Sequence, residues 1–182
     1  MLFEAILIFP LVLPPLVTGY ILLFIFSQNS PLGNFLSHFG ISFTFNLPAA
    51  VLASCVVSFP LMLRPVRLAM ASIDDGYLNI SRSLGQNSFQ TFCKVILPMS
   101  KSGIISGAVL CFARSIGEFG ATIMLAGNIP YKTTTISMAI FSFFNSVDGE
   151  FACLRLVIIS ILISLVALLL SEYYQKKGLK NA

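Results

Sequence analysis

The chain has 182 residues, of which 57% are hydrophobic and 10% charged, with a net charge of +4 and a mean hydropathy of +0.91. Soluble domains carry about 25% charged residues, so this composition excludes one and implies a single polytopic membrane domain over residues 1–182. The basic residues lie beside apolar runs, which fits contact with membrane lipid and argues against a nucleic-acid partner.

Met1-Leu2-Phe3-Glu4 has no positive region, and the apolar run behind it contains Pro10, Pro14 and Pro15. It reads as a retained span and not as a cleaved signal. A helix needs about 20 apolar residues to cross the hydrocarbon core. Four segments qualify: Ala5 to Phe26, Leu47 to Met70, Gly103 to Ala126 and Leu154 to Tyr173. The fold class expected is therefore all-α, with about four transmembrane helices. The stretch from Lys132 to Val147 is too apolar for an ordinary loop and short for a span, so a re-entrant or interfacial outer helix is expected there. The alternative is a fifth span, which would put the C-terminal lysines outside.

Ser27 to Asn46 contains no Lys or Arg. Ser72 to Lys101 contains Arg82, Lys94 and Lys101, with Arg64 and Arg67 just before it, and the tail contains Lys176, Lys177 and Lys180. The excess of basic residues on cytoplasmic segments places the loop 72–101 and the C-terminus in the cytoplasm. Lys132 and Arg155 are mild exceptions on the outer side. The four cysteines, Cys55, Cys93, Cys111 and Cys153, are scattered without metal-ligand spacing, and His38 is the only histidine. No metal site and no catalytic group is expected. A glycine-rich phosphate-binding motif is lacking as well, so no cofactor is expected on this chain.

In the loop 72–101, Asp74 to Leu84 suits a helix, and Gly85 is a natural terminator. Asn87 or Ser88 can cap a second helix running to about Val95, with Pro98 ending it. Phe89 and Phe92 lie three apart on one face. Either a partner covers them or they tuck back against the span ends.

Arg114 and Glu118 lie four apart inside an apolar segment. A rise of 1.5 Å per residue from Gly103 puts Arg114 about 17 Å in, near the middle of a roughly 30 Å core. Charge there is costly and is by default functional. The bland reading is a self-neutralised pair bridging packed helices. Gly117 and Gly120 permit close backbone approach, and Ser106, Ser115 and Thr122 offer hydroxyls.

Leu84-Gly85, followed after nine residues by Val95-Ile96-Leu97-Pro98, resembles the "EAA" loop of ABC-transporter permeases, with Asn79-Ile80-Ser81 standing where Glu-Ala-Ala would. The resemblance implies that Gly85 is a turn. It further implies that Gln86 to Phe92 is a coupling helix anchored by Phe89 and Phe92, and that Leu97 and Pro98 close the loop. The run from Phe112 to Ile123, with Arg114, Ser115, Gly117, Glu118, Gly120 and Thr122, resembles the permeases for tetrahedral oxyanions. Gly127-Asn128-Ile129-Pro130, Thr133 to Ile136, the Pro10 to Pro15 run with Gly19-Tyr20, and Ser58 to Met62 with Arg64 and Arg67 are closer to the molybdate members. The resemblance implies a type I ABC importer permease for molybdate or tungstate, in the cytoplasmic (inner) membrane. It implies a homodimer with a translocation path gated near Arg114 to Thr122. Its partners would be a cytoplasmic ATP-binding cassette subunit, which hydrolyses the ATP, and a periplasmic or extracellular oxyanion-binding protein. Members of that family carry a further span before the Pro-rich segment, which here follows Met1 directly. The alternatives are a sulfate or thiosulfate permease and a truncated, non-transporting scaffold.

Overall fold

The computed structural model describes residues 2–180, with side chains from Leu7 to Tyr174 and at Lys176. Glu4, Lys177 and Lys180, which enter the charge argument, have side chains outside the described residues. The described residues are helical with connecting turns and contain no strand. Among the described residues, two helices are long and apolar enough to cross a membrane, Leu47–Ala71 and Glu150–Tyr174. The other two expected spans are interrupted, and each interruption has a local cause.

The first becomes α1 (Leu2–Val12) and α2 (Pro15–Phe26). Pro15 drives the residue before it out of the helical region, and Pro14 is extended at φ −54°, ψ 133°. Neither proline donates an N–H, so the ladder stops. Pro14 then caps α2 through its carbonyl, which accepts from Val17 and Thr18 N–H at 2.9 and 3.2 Å. Pro15 takes the first helical position, where its fixed φ is an asset. A short helix, α3 (Pro31–Ser37), follows, capped by Ser30 Oγ, which accepts from Gly33 N–H at 2.9 Å. Asn46 Oδ1 accepts from Ala49 N–H at 2.9 Å and starts the long α4 (Leu47–Ala71).

The loop 72–101 forms α5 (Asp75–Ser83), α6 (Ser88–Thr91), a π segment (Phe92–Ile96) and α7 (Leu97–Met99). The second interrupted span is α8 (Lys101–Ile116) followed by α9 (Gly120–Ala126). Beyond it come α10 (Ile136–Phe144), capped by Thr135, and α11 (Glu150–Lys180). At 1.5 Å per residue the nine residues of α10 reach about 14 Å, less than half a bilayer core, which rules against a fifth span there.

The chain divides into two compact units. The first, residues 1–60 and 113–164, has a core of Leu22, Ala49, Ala50, Ala53, Val57, Ala121, Leu125 and Ala126. These come from α2, α4 and α9, and most are small. Small side chains let helices approach closely where lipid supplies no hydrophobic drive for association. A Cβ on Gly19 would stand 2.7 Å from the Ala121 Cα, and one on Gly120 would stand 2.9 Å from the Pro15 Cβ. The half-helices α2 and α9 are therefore in backbone contact close to both breaks. Gly19→Leu should cost about 1–3 kcal/mol or more by overpacking against main chain that cannot yield. A lowered melting temperature of the detergent-solubilised protein checks this, and an unchanged one would contradict the contact.

The second unit, residues 61–112 and 165–182, holds the loop 72–101. In it Gly103 and Gly107 pack α8 against Pro65, Ala69 and Met62 of α4. Ser106 and Ser171, both buried, join α8 to α11 through hydroxyls 2.7 Å apart.

Candidate functional site

Two places hold the residues that the sequence singles out. In the loop 72–101, Asp74 caps α5 by accepting from Gly76 N–H. Gly85, at φ +75°, ends the turn after it in the left-handed region that glycine adopts without strain. Asn87 is the cap of α6, in a full capping box: Gln90 N–H donates to Asn87 Oδ1 at 2.8 Å, and Asn87 N–H donates to Gln90 Oε1 at 3.1 Å. The structure adds a clip that the sequence did not reveal. Ser81, in the position of the third residue of the Glu-Ala-Ala motif, is buried and lies 2.8 Å from Thr91 Oγ1 and 3.2 Å from Gln86 Oε1. One hydroxyl thus fixes α5 against α6. Ser81→Ala should cost about 1 kcal/mol and loosen the loop, read as faster proteolysis within 72–101. Cleavage at the parent rate would mean that the capping box alone holds it.

Pro98 does not end the second helix as expected. Helical structure runs through it to Met99, and the path then bends by 69° into α8. The preceding turn widens to a π segment, in which Leu97 N–H donates to the Phe92 carbonyl. A wider turn makes room for the Pro98 ring and for the hydrogen bond it cannot make. Leu97 is exposed beside it. Phe89 does not tuck back: it is 74% exposed, and Phe92, at the start of the π segment, is 39% exposed. Tyr77 and Ile80 on α5 and Leu84 at its C-terminal cap are exposed. A capped turn therefore carries several exposed apolar side chains, with Phe89 the most exposed of them.

The second place is the break between α8 and α9. Arg114 and Glu118 do not share one helix, because α8 ends at Ile116. They still meet, with Arg114 Nη1 at 3.0 Å from Glu118 Oε2. Glu118 is 2% exposed and Arg114 33%. The other carboxylate oxygen accepts from Ala121 N–H at 2.9 Å, in the first turn of α9. A negative charge there complements the helix N-terminus. Glu118 is thus the element that turns the chain at the break: it closes α8 through Arg114 and opens α9 through Ala121. Gly117 is not a point of close approach, since a Cβ there would meet only the Arg114 carbonyl, at 3.8 Å. Gly120 is one, against Pro15 and Leu16 of α2. The three hydroxyls expected to serve a passing ligand are engaged within the chain. Thr122 Oγ1 donates to the Glu118 and Phe119 carbonyls, Ser115 lies 2.9 Å from Ser58, and Ser106 pairs with Ser171. What the break offers chemically is a paired but partly exposed guanidinium.

The binding-protein-dependent transport system inner membrane component family matches residues 1–178. The chain belongs to that family. It is 44% identical to the Molybdenum transport system permease protein ModB of Escherichia coli K12 over 182 residues, which is 100% of this chain and 80% of the relative. It is 43% identical to ModB of Haemophilus influenzae over 173 residues, 94% of this chain and 76% of the relative. The Sulfate transport system permease protein CysT of Escherichia coli K12 is 36% identical over 140 residues, 77% of this chain and 50% of that protein. The family match and the molybdenum-transport relatives span both places, the capped turn and the charged break.

Proposed function

We propose that this chain is the transmembrane permease subunit of an ATP-driven molybdate or tungstate importer. The carrying observation is identity of 43–44% to two molybdenum permeases across at least 94% of the chain, against 36% over 77% for a sulfate permease. A tetrahedral dianion cannot cross lipid unaided, and its path must replace water without trapping the ion. In this reading two copies of the chain form that path, gated by the break from Arg114 to Thr122. The cytoplasmic ATP-binding cassette subunit hydrolyses ATP and receives the loop 72–101, with Gly85 and Gln86 setting the turn and Phe89 and Phe92 as anchors. The outer segments 27–46 and 127–152 dock the loaded binding protein, with Asp148 and Glu150 as polar anchors. The C-terminus is cytoplasmic.

Competition tests the substrate class. Cells expressing the chain with its binding protein and ATPase should take up labelled molybdate in the presence of excess sulfate, with unlabelled tungstate competing. Uptake abolished by sulfate would move the chain to the sulfate branch.

A further inference from the structure

Arg114 is the only basic residue between Gly103 and Ala126. Counted from the start of α8 at Lys101, it lies about 20 Å along the helix, a depth that falls within a hydrocarbon core of about 30 Å for a helix entering the membrane at Lys101. One third of its side chain is nevertheless exposed. An intramembrane charge facing lipid is strongly disfavoured, and such residues face protein or a water-filled cavity. The exposed part of Arg114 therefore faces an aqueous path or a second chain. Guanidinium carries five N–H donors in a planar fork suited to two oxygens of an oxyanion. Glu118 engages it at Nη1.

Glu118 is placed differently. Its carboxylate is buried and held at both oxygens, by Arg114 Nη1 at 3.0 Å and by Ala121 N–H at 2.9 Å. It is fixed in position and shielded from anything moving past. A dianion meeting a lone arginine in low dielectric would be held tightly, because attraction there is many times that in water. A dianion meeting the pair finds hydrogen-bond donors with no net charge behind them.

Resting on the importer reading, we propose that Arg114 donates hydrogen bonds to the oxyanion during passage, and that Glu118 is the fixed counter-charge that keeps this contact weak enough to release it.

The test uses Arg114→Gln, Arg114→Lys, Glu118→Gln and the double variant Arg114→Gln/Glu118→Gln, expressed with the ATPase and binding protein. Initial rates of labelled molybdate uptake are measured in cells empty of molybdate and in cells preloaded with it. Gln at 118 keeps an oxygen to accept from Ala121 N–H and removes the charge together with the second oxygen that faces Arg114. Arg114→Gln and the double variant should each lose about tenfold or more in rate, the scale of a lost charge-assisted hydrogen bond, while the ATPase still co-purifies. Arg114→Lys should retain part of the rate. Glu118→Gln should slow turnover and become inhibited by preloaded molybdate that leaves the parent unaffected, because the anion now lingers. Wild-type uptake by the double variant would overturn the proposal, since two neutral side chains then suffice and the pair is only a structural bridge. Glu118→Gln behaving as the parent would overturn the counter-charge. If Arg114→Gln fails to assemble, Arg114→Cys labelled after assembly with a cationic thiosulfonate replaces it: regained uptake supports the contact, and none opposes it. No uptake by the unsubstituted chain would remove the importer reading itself, a result distinct from either failure of the pair.

Discussion

Phe89→Ala is expected to release the ATPase subunit from the membrane complex while the permease stays folded. Phe89 is 74% exposed and is the first aromatic of a helix whose shape does not depend on it. The Asn87–Gln90 capping box and the Ser81–Thr91 hydroxyl contact hold that turn from the other side. A large, rigid aromatic on a fixed support loses little conformational freedom on binding, and truncating such an anchor costs about 2–4 kcal/mol. That corresponds to a loss of roughly 30-fold to 1000-fold in affinity. Phe92, half as exposed and built into the π segment, should show a smaller loss. Co-purification of the ATPase with the tagged permease reads the difference. Retention of the ATPase at the parent level by Phe89→Ala would show that coupling uses another surface.

Glu118→Ala is expected to be the most damaging single change in the chain, and to act on folding. It removes the partner of Arg114, leaving an uncompensated charge in an apolar segment, and the acceptor of Ala121 N–H at the start of α9. Breaking a buried ion pair from one side costs about 3–5 kcal/mol. The half-helix it would loosen is the one packed on α2 at Gly19 and Gly120. Low yield and a sharply lowered melting temperature in detergent should follow. Glu118→Gln also breaks the ion pair but keeps the acceptor of Ala121 N–H, and should be the more stable of the two by about 1 kcal/mol. Equal stability of the two would mean that Glu118 is not the element holding the break.

These two residues also mark how far the sequence could be read. Gly85 and a cap at Asn87 or Ser88 were legible because local signals decide them, whereas the exposure of Phe89 was not, since the sequence left open whether it tucks back against the span ends. The long helices α4 and α11 were legible because their apolar runs are nearly unbroken. The breaks were only half legible. Pro14-Pro15 sits within an apolar run where a membrane helix tolerates proline, and hydropathy does not register a lost hydrogen bond. The Arg114–Glu118 pairing was foreseen from a helical spacing that the chain does not keep, since α8 ends between them. Charge attraction brought the two together across a turn. The serine contacts, Ser58 with Ser115, Ser81 with Thr91 and Ser106 with Ser171, join residues far apart in sequence or across a turn, and no periodicity signals them. The π segment follows from Pro98, whose effect was expected as a stop and came instead as a widened turn.

The central claim, that this chain carries molybdate across a membrane, is tested most directly in cells lacking their own molybdate importer. Labelled molybdate uptake is compared with the binding protein and ATPase expressed alone and together with this chain. Accumulation that appears only when the chain is present is the predicted result. No accumulation, with the chain detected in the membrane and bound to the ATPase, would contradict it.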